Sequence, residues 1–396
     1  MNKRILNTGV QDFISKNSNT DIMSVLLKKQ IFEGVSQKEL AEQIESKKKC
    51  QKKLPNWFNT PDIYYPKKIH IEQTSSEITA KYKAEITVQN SLIDLTGGLG
   101  VDSYFFSKKT AFVCHCETNS ILSKIASYNF EKIGVKNIKT INDDGLIFLE
   151  KTPQIFDCIY VDPSRRNDAK GKVFLLSDCI PNVPKHLSLL LKKSNIILIK
   201  TSPLLDLSSG LNELKFVKEI HIVAVENEVK ELVWVLQKEH EDDIKIKTVN
   251  LKKEHREKFD YLLSEEKKAI SKYSKPLTYL YEPNAAILKS GAFKMIGDRL
   301  SLQKLNENSH LYTAEEIIDF PGRRFKIKTV IPYQKKALKK LAVKKANITI
   351  RNFPDSVSEI RKKFKIQNGG DSYLFFTKDV EGKHIVISCS KIKTAP

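Results

Sequence analysis

Between residues 91 and 237 seven short apolar runs alternate with helical stretches. SLIDLTGG, AFVCHCE, IKTINDD, FDCIYVDPS, NIILIKTSP, EIHIVAVEN and ELVWVLQ are separated by segments such as ILSKIASYNFEKIG and PKHLSLLLKKS. Strands alternating with helices predict an α/β fold, a largely parallel sheet with helices on both faces. The last two runs are separated only by Glu228, Val229 and Lys230. That is too short for a crossover helix, so one of the two runs antiparallel. The expected architecture is a seven-stranded Rossmann-like sheet with its last pair reversed.

On either side of this region the pattern changes. Residues 1–65 are predicted helical: apolar residues recur at spacings of three and four through Ile22, Val25, Leu26, Leu40 and Ile44. Ser36 followed by Glu39 is a capping-box start, and Pro55, Pro61 and Pro66 close the helical part. The sheet domain is expected over 66–243. A charged stretch, KEHEDDIKIKTVNLKKEH, then opens a linker with a helix over 255–270, leading to a small mixed unit that ends at 322. From 323 to 396 strands (FKIKTVIP, ANITIRNF, SYLFFTK, HIVISCS) alternate with helices near 334–345 and 356–363.

Charge separates the last module from the rest. The 396-residue chain carries a net charge of +20, and residues 323–396 hold 19 basic and 5 acidic side chains, or +14. A compact unit with that imbalance repels itself unless a polyanion screens it, so nucleic acid is the natural partner. No run approaches the roughly 18 apolar residues needed to cross a bilayer. The opening MNKRILNTGVQDF lacks the apolar core and cleavage site of a signal peptide. The six cysteines are sparse, and four sit in strand-like segments. A cytoplasmic, membrane-free protein with reduced thiols is expected.

The chemistry concentrates at strand ends. LIDLTGGLGVDSYFFS is a strand, a Gly-rich turn and a helix, with Gly97, Gly98 and Gly100 in the turn and Asp94, Thr96 and Asp102 around it. Carboxylates beside a nest of amides disfavour a pyrophosphate, and neither the P-loop lysine nor the G-x-G-x-x-G spacing is present. An acidic turn suits a ligand with a positive centre and a free amino group, such as S-adenosylmethionine. Glu117 ends the second strand, where a carboxylate can accept both hydroxyls of a ribose. Asp143 and Asp144 end the third, either facing an adenine or capping the helix GLIFLEK. The fourth strand ends in Asp162-Pro163-Ser164-Arg165-Arg166.

This succession, DLTGGLGVD, Glu117, NDDG and YVDPSRR, resembles the class I S-adenosylmethionine-dependent methyltransferases. DPSRR together with GKVFLLSDCIPNV and KTSPLLD looks like the subgroup with a C-terminal THUMP-like domain. IEQTSSEITAKYKA is similar to the subgroup's helix that lies over the cofactor. The resemblance covers essentially the whole chain, with a ferredoxin-like insert near 280–322. It implies that Asp94, Thr96, Gly97, Gly98, Gly100, Asp102, Glu117, Asp143, Asp144 and Asp162 bind the cofactor. It also implies that Asp162 and Pro163 sit at the reacting centre, with Asp162 positioning the acceptor or taking its proton. Arg165 and Arg166 would hold an anionic or guanine-like substrate, unless they pair with Asp168, Asp178 or a helix end. Asp178 and Lys200 would line the cleft, and Arg323 and Arg324 would contact substrate. Related enzymes carry Asp/Asn-Pro-Pro-Tyr/Phe, whose aromatic side chain stacks on a flipped base. Ser164 and Arg165 replace it here, which leaves the target atom open.

The implied activity is methyl transfer to a base in structured RNA, tRNA or rRNA. Two other functions compete: an RNA-binding protein whose methyltransferase-like domain is inactive, and a methyltransferase for a protein or small molecule. Retention of Gly97, Gly100, Glu117, Asp144 and Asp162 argues against decay. No metal is expected. Cys114, His115 and Cys116 lie in one strand, where the two thiols share a face and the imidazole points away, and no second cluster completes a ligand set. Trp57 and Tyr64-Tyr65-Pro66 could stack on bases, but read first as a packed hinge.

Overall fold

Leu92 and Ile93 are wholly buried, and these two apolar residues are the buried core of the four-residue strand β1 (Ser91–Asp94). The computed structural model describes residues 1–87, 89–165 and 175–392. They fall into two units, Met1–Lys218 with Leu232–Glu241, and Glu219–Glu231 with Asp242–Pro396.

In the first unit β1 pairs in parallel with β2 (Phe112–Cys116) and β4 (Cys158–Val161). β2 continues in parallel to β3 (Ile138–Ile141), and β4 to β5 (Ile196–Thr201). The run ELVWVLQ enters antiparallel against β5, so it is the reversed strand. EIHIVAVEN forms most of β6 (Val217–Val225), which turns at Glu226 and Asn227, both left-handed, into β7 (Glu228–Gln237).

The helical N-terminus behaves as its pattern predicts. Ser36 and Glu39 form a capping box at the start of α1 (Gln37–Lys53). The remaining helices that shape the site are α2 (Glu77–Glu85), α3 (Val101–Ser107), α4 (Ser120–Lys132) and α5 (Gly145–Lys151). Ile5, Leu40, Ile44, Trp57, Tyr64 and Tyr65 share one apolar core with Tyr104, Ile125 and Phe130 of α3 and α4. Asn129 clamps this junction: its Nδ2 donates to the Tyr64 carbonyl and its Oδ1 accepts from the Tyr64 N–H. Trp57 and Tyr65 are packed, with the Tyr65 hydroxyl donating to the Trp57 carbonyl.

In the second unit β6 pairs in parallel with β8 (Lys245–Leu251), which pairs antiparallel with β9 (Arg256–Leu262). The expected helix over 255–270 is therefore mostly a strand, and only Leu263–Lys268 is helical. Phe259 and Tyr261 alternate inward along REKFDYL, and a buried face at period two favours the ladder. Further along, β10 (Tyr279–Pro283) pairs antiparallel with β11 (Gly322–Pro332), and β11 with β14 (His384–Lys391). Between them, β13 (Gln367–Lys378) pairs antiparallel with β14 and in parallel with β12 (Lys345–Ile350). Phe375 of β13 packs with Phe325 and Ile387 on one face, while Leu374 and Phe376 pack with Leu338 and Ile360 on the other. The lysine-rich helix stops at Lys340, short of the expected 345, because Ala342 turns left-handed to let β12 begin.

Candidate functional site

The carboxyl ends of β1 to β4 open into a cavity of about 350 Å³ in the first unit. Ligands of open α/β sheets bind at this edge, and the volume falls within the usual range for small-molecule sites. Five carboxylates line it: Asp94, Asp102, Glu117, Asp144 and Asp162.

The Gly-rich turn is shaped from below by a histidine. A Cβ on Gly97 would lie 2.2 Å from His115 Nε2, so any larger residue collides with a wholly buried ring. Burial holds the His115 imidazole below its ordinary pKa, and the ring meets Phe130 edge-on at 5.5 Å. Gly98 faces the cavity with a φ of +57°, which favours glycine. Gly100 caps α3 and does not line the cavity. Glu117 braces the turn, accepting from Gly98 N–H at 2.9 Å and Asn119 N–H at 2.7 Å.

Asp94 accepts from Thr96 N–H at 3.0 Å and from Ser103 Oγ at 2.7 Å. Burial pushes its carboxyl up to about 7 against those two hydrogen bonds. Asp102 accepts from Ser75 Oγ and Tyr160 OH, both at 2.8 Å, and lies 3.1 Å from Lys83 Nζ. Sequence reasoning missed Lys83, because one of the two lysines in the segment 77–85 carries no signal of its own.

Of the two neighbouring aspartates, Asp144 reaches the cavity and Asp143 does not. Asp144 also caps α5, accepting from Leu146 N–H at 2.8 Å and Ile147 N–H at 3.1 Å through one oxygen. The cap and the cavity wall are the same residue. Gly145, also missed, lets the helix end approach β1: a Cβ there would lie 2.4 Å from the Leu95 carbonyl oxygen.

Asp162 lies where β4 leaves the sheet. Its backbone N–H donates to Thr96 Oγ1 at 2.7 Å, and its carboxylate is forked by Lys200 Nζ at 3.0 and 2.9 Å. Lys200 is thus a partner of Asp162 and is not among the residues lining the cavity. Pro163 is buried, and Ser164 is exposed on the cavity wall. The backbone of Ser164 and Arg165 pairs antiparallel with Ile180 and Cys179. This brings Ile180 and Pro181 onto the wall as well. Arg166 and Asp168 lie outside the described residues, as does the side chain of Arg165. Asp178 ends a short turn, Leu176–Asp178, away from the cavity wall.

In the second unit Arg323 and Arg351 both engage the buried Glu282. Arg324 donates to the Ile318 carbonyl at 3.2 Å. Both Arg323 and Arg324 also line a cleft of about 680 Å³ with Lys252, Lys391 and Tyr373. Arg361 is spent internally, donating to the carbonyls of Ile366 and Ala346. Lys335, Lys336, Lys339, Lys340, Lys344 and Lys362 are exposed.

Among the described residues no group of His, Cys, Asp and Glu could hold a metal ion, and no helix is long and apolar enough to cross a membrane.

A THUMP domain-like family model matches residues 322–391, and a ferredoxin-like domain model matches residues 279–321. The crystal structure of a candidate methyltransferase from Porphyromonas gingivalis W83 is 32% identical, spans 99% of both chains and superposes with a TM-score of 0.89. An uncharacterized RNA methyltransferase from Mycoplasma mobile is 31% identical over 103 residues, which is 26% of this chain and 28% of that protein.

Proposed function

The chain belongs to the class I S-adenosylmethionine-dependent methyltransferase family with a C-terminal THUMP-like domain, and from that premise we propose that it methylates a base in structured RNA, tRNA or rRNA, in the cytoplasm. The observation that carries the proposal is the placement of Asp162, fixed by Lys200 and Thr96, on the wall of a carboxylate-rimmed cavity.

The cavity residues fit S-adenosylmethionine. Glu117 and Asp144 sit at the ends of β2 and α5, where acceptors for a ribose diol and an adenine amine are needed. Gly98 leaves space, since the nearest atom to a Cβ there is the Thr96 carbonyl oxygen at 3.9 Å. When bound, the cofactor supplies a methyl group on a sulfonium, already a good leaving group. The protein then contributes alignment and exclusion of water. Asp162, held by its fork to Lys200, orients an N–H of the acceptor. Ser164 and Pro163 set the backbone around it, and the departure from an aromatic at this place leaves the apolar side chains of Ile180 and Pro181 on the acceptor side.

RNA as substrate is supported by the charge of +14 over residues 323–396, carried on exposed lysines. Such chemistry grips phosphates and shape in preference to base edges. The similarity to an RNA methyltransferase supports the same class. Arg323 and Arg324 would contribute through their common cleft, within the limits their internal partners impose.

Methyl labelling of RNA followed by nucleoside mass spectrometry tests the proposal. One modified nucleoside that is strongly reduced in Asp162→Ala is expected. Label confined to protein would remove RNA as the substrate.

A further inference from the structure

The short helix Lys68–Gln73 is clamped onto the N-terminal helical region. Ile71 is wholly buried in the core that holds Leu40, Ile44 and Trp57. Lys68 Nζ lies 3.3 Å from Glu45 Oε1, and Lys49 Nζ lies 3.3 Å from Glu72 Oε1. Lys53 Nζ donates to the Glu72 carbonyl at 2.7 Å. His70 and Gln73, by contrast, line the cavity. Residues three apart share one side of a helix, so the N-terminal helices hold up a cavity wall as well as a core.

That wall is anchored near Asp162. Ser75, just after the helix, donates through Oγ to Asp102 Oδ2 at 2.8 Å, and Tyr160 OH donates to the same oxygen at 2.8 Å. Tyr160 belongs to β4, two residues before Asp162. The end of the helix is therefore tied to β4, where Ser164, Ile180 and Pro181 also reach the cavity. His70 carries the one aromatic ring among the described residues that line it. The ring is half-buried, and no other described residue bonds to it or stacks on it. Ile180 is 56% exposed, an uncovered apolar side chain on the same cavity. A planar ring and a bare apolar side chain beside a carboxylate suit a flat heterocycle, whose faces stack and whose edge carries N–H groups.

We propose that His70 is the acceptor-stacking residue: the base lies between the His70 imidazole and Ile180, with its edge toward Asp162. The ring that Ser164 and Arg165 do not provide is then supplied by a different element of the fold. The inference rests on the reading of a base in RNA as the acceptor. It adds which residues hold that base and what the N-terminal helices contribute to the site.

Methyl transfer from tritiated S-adenosylmethionine to total RNA, followed on the full chain at several RNA concentrations, tests it. His70→Ala should lower kcat/KM for RNA about tenfold, the scale of one base–aromatic stack. Calorimetry should find its affinity for S-adenosylhomocysteine within about twofold of wild type, which also shows that the variant is folded. His70→Phe keeps the planar face without the ring nitrogens and should recover most of the rate, whereas His70→Gln should not. Ile180→Ala should show the same split between RNA and cofactor. An unchanged rate in either alanine variant, recovery by glutamine in place of phenylalanine, or a tenfold loss of cofactor affinity overturns the inference while the RNA reading stands. Failure of the wild-type chain to label RNA overturns both.

Discussion

The backbone N–H of Asp162 donates to Thr96 Oγ1 at 2.7 Å, joining the turn that follows β1 to the motif that follows β4. The two segments are 66 residues apart, and the hydroxyl extends the link already made by the Leu95 N–H donating to the Tyr160 carbonyl at 3.0 Å. The Gly-rich turn and the Asp162 motif are therefore one mechanical unit.

Thr96→Val keeps the branched shape and removes the acceptor, leaving the Asp162 amide without its partner. A loss of about 1 to 3 kcal/mol is expected from an orphaned donor. Turnover should fall about tenfold or more, with cofactor affinity changed less. Thr96→Ser should restore most of the rate. Single-turnover kinetics alongside calorimetry checks this, and an unaltered rate in the valine variant would show that the link is incidental.

Lys200 forks the Asp162 carboxylate, and on the proposed function its effect on the rate should pass through Asp162. Asp162→Ala should leave only a small residual turnover while retaining cofactor binding. Lys200→Met should slow turnover by freeing the carboxylate to rotate, and Lys200→Met combined with Asp162→Ala should be no worse than Asp162→Ala alone. A double-mutant cycle on the rate measures the coupling. Additive losses would mean that Lys200 contributes independently.

Asp94 gives the fold a pH dependence. Its carboxyl is raised from the ordinary 3.8 to about 7 by burial, so the folded chain holds a proton that the unfolded chain has lost between those values. Stability from this group is complete below about pH 4 and declines as pH rises through about 7, at up to about 1.4 kcal/mol per pH unit. Denaturant unfolding of wild type and Asp94→Asn from pH 4 to 8 should show a steeper decline in the wild type than in the variant, where Glu77, whose carboxyl burial also raises to about 7, still contributes.

Gly97→Ala drives a methyl into the His115 ring. The expected cost is about 1 to 3 kcal/mol, the range for overpacking. Combining it with His115→Ala should relieve the collision, so the double variant should lose less than the two single losses together. Chemical denaturation of the three variants tests this, and strict additivity would contradict it.

For the basic module, deleting 323–396 is a poor test, because β10 would lose its partner β11. Changing the exposed Lys335, Lys336, Lys339 and Lys340 to Glu preserves the sheet. RNA affinity should drop, and the slope of log affinity against log salt should shrink by about 0.7 to 0.9 for each phosphate that is no longer neutralised. Cofactor affinity should not change. Salt-titrated binding measurements decide it, and an unchanged slope would show that this ridge does not face RNA.

The α/β class, the reversed strand near the end of the sheet domain and the acidic strand ends were all legible from residue order. Periodicity and turn chemistry are local properties, and a strand's carboxyl end is where such folds place a ligand. The helix expected over 255–270 failed for the converse reason: REKFDYL is ambiguous alone and becomes a strand because β8 offers it an edge and buries Phe259 and Tyr261. Pairings between distant side chains were beyond local pattern altogether. Lys200 meets Asp162 across 38 residues, Thr96 meets it across 66, and Lys83 finds Asp102 only when α2 packs on α3. Residue order set which groups carry the chemistry. Packing in three dimensions decided which of them are held, paired or turned toward the cavity, because those interactions fall off within a few ångströms and exist only once the chain has folded.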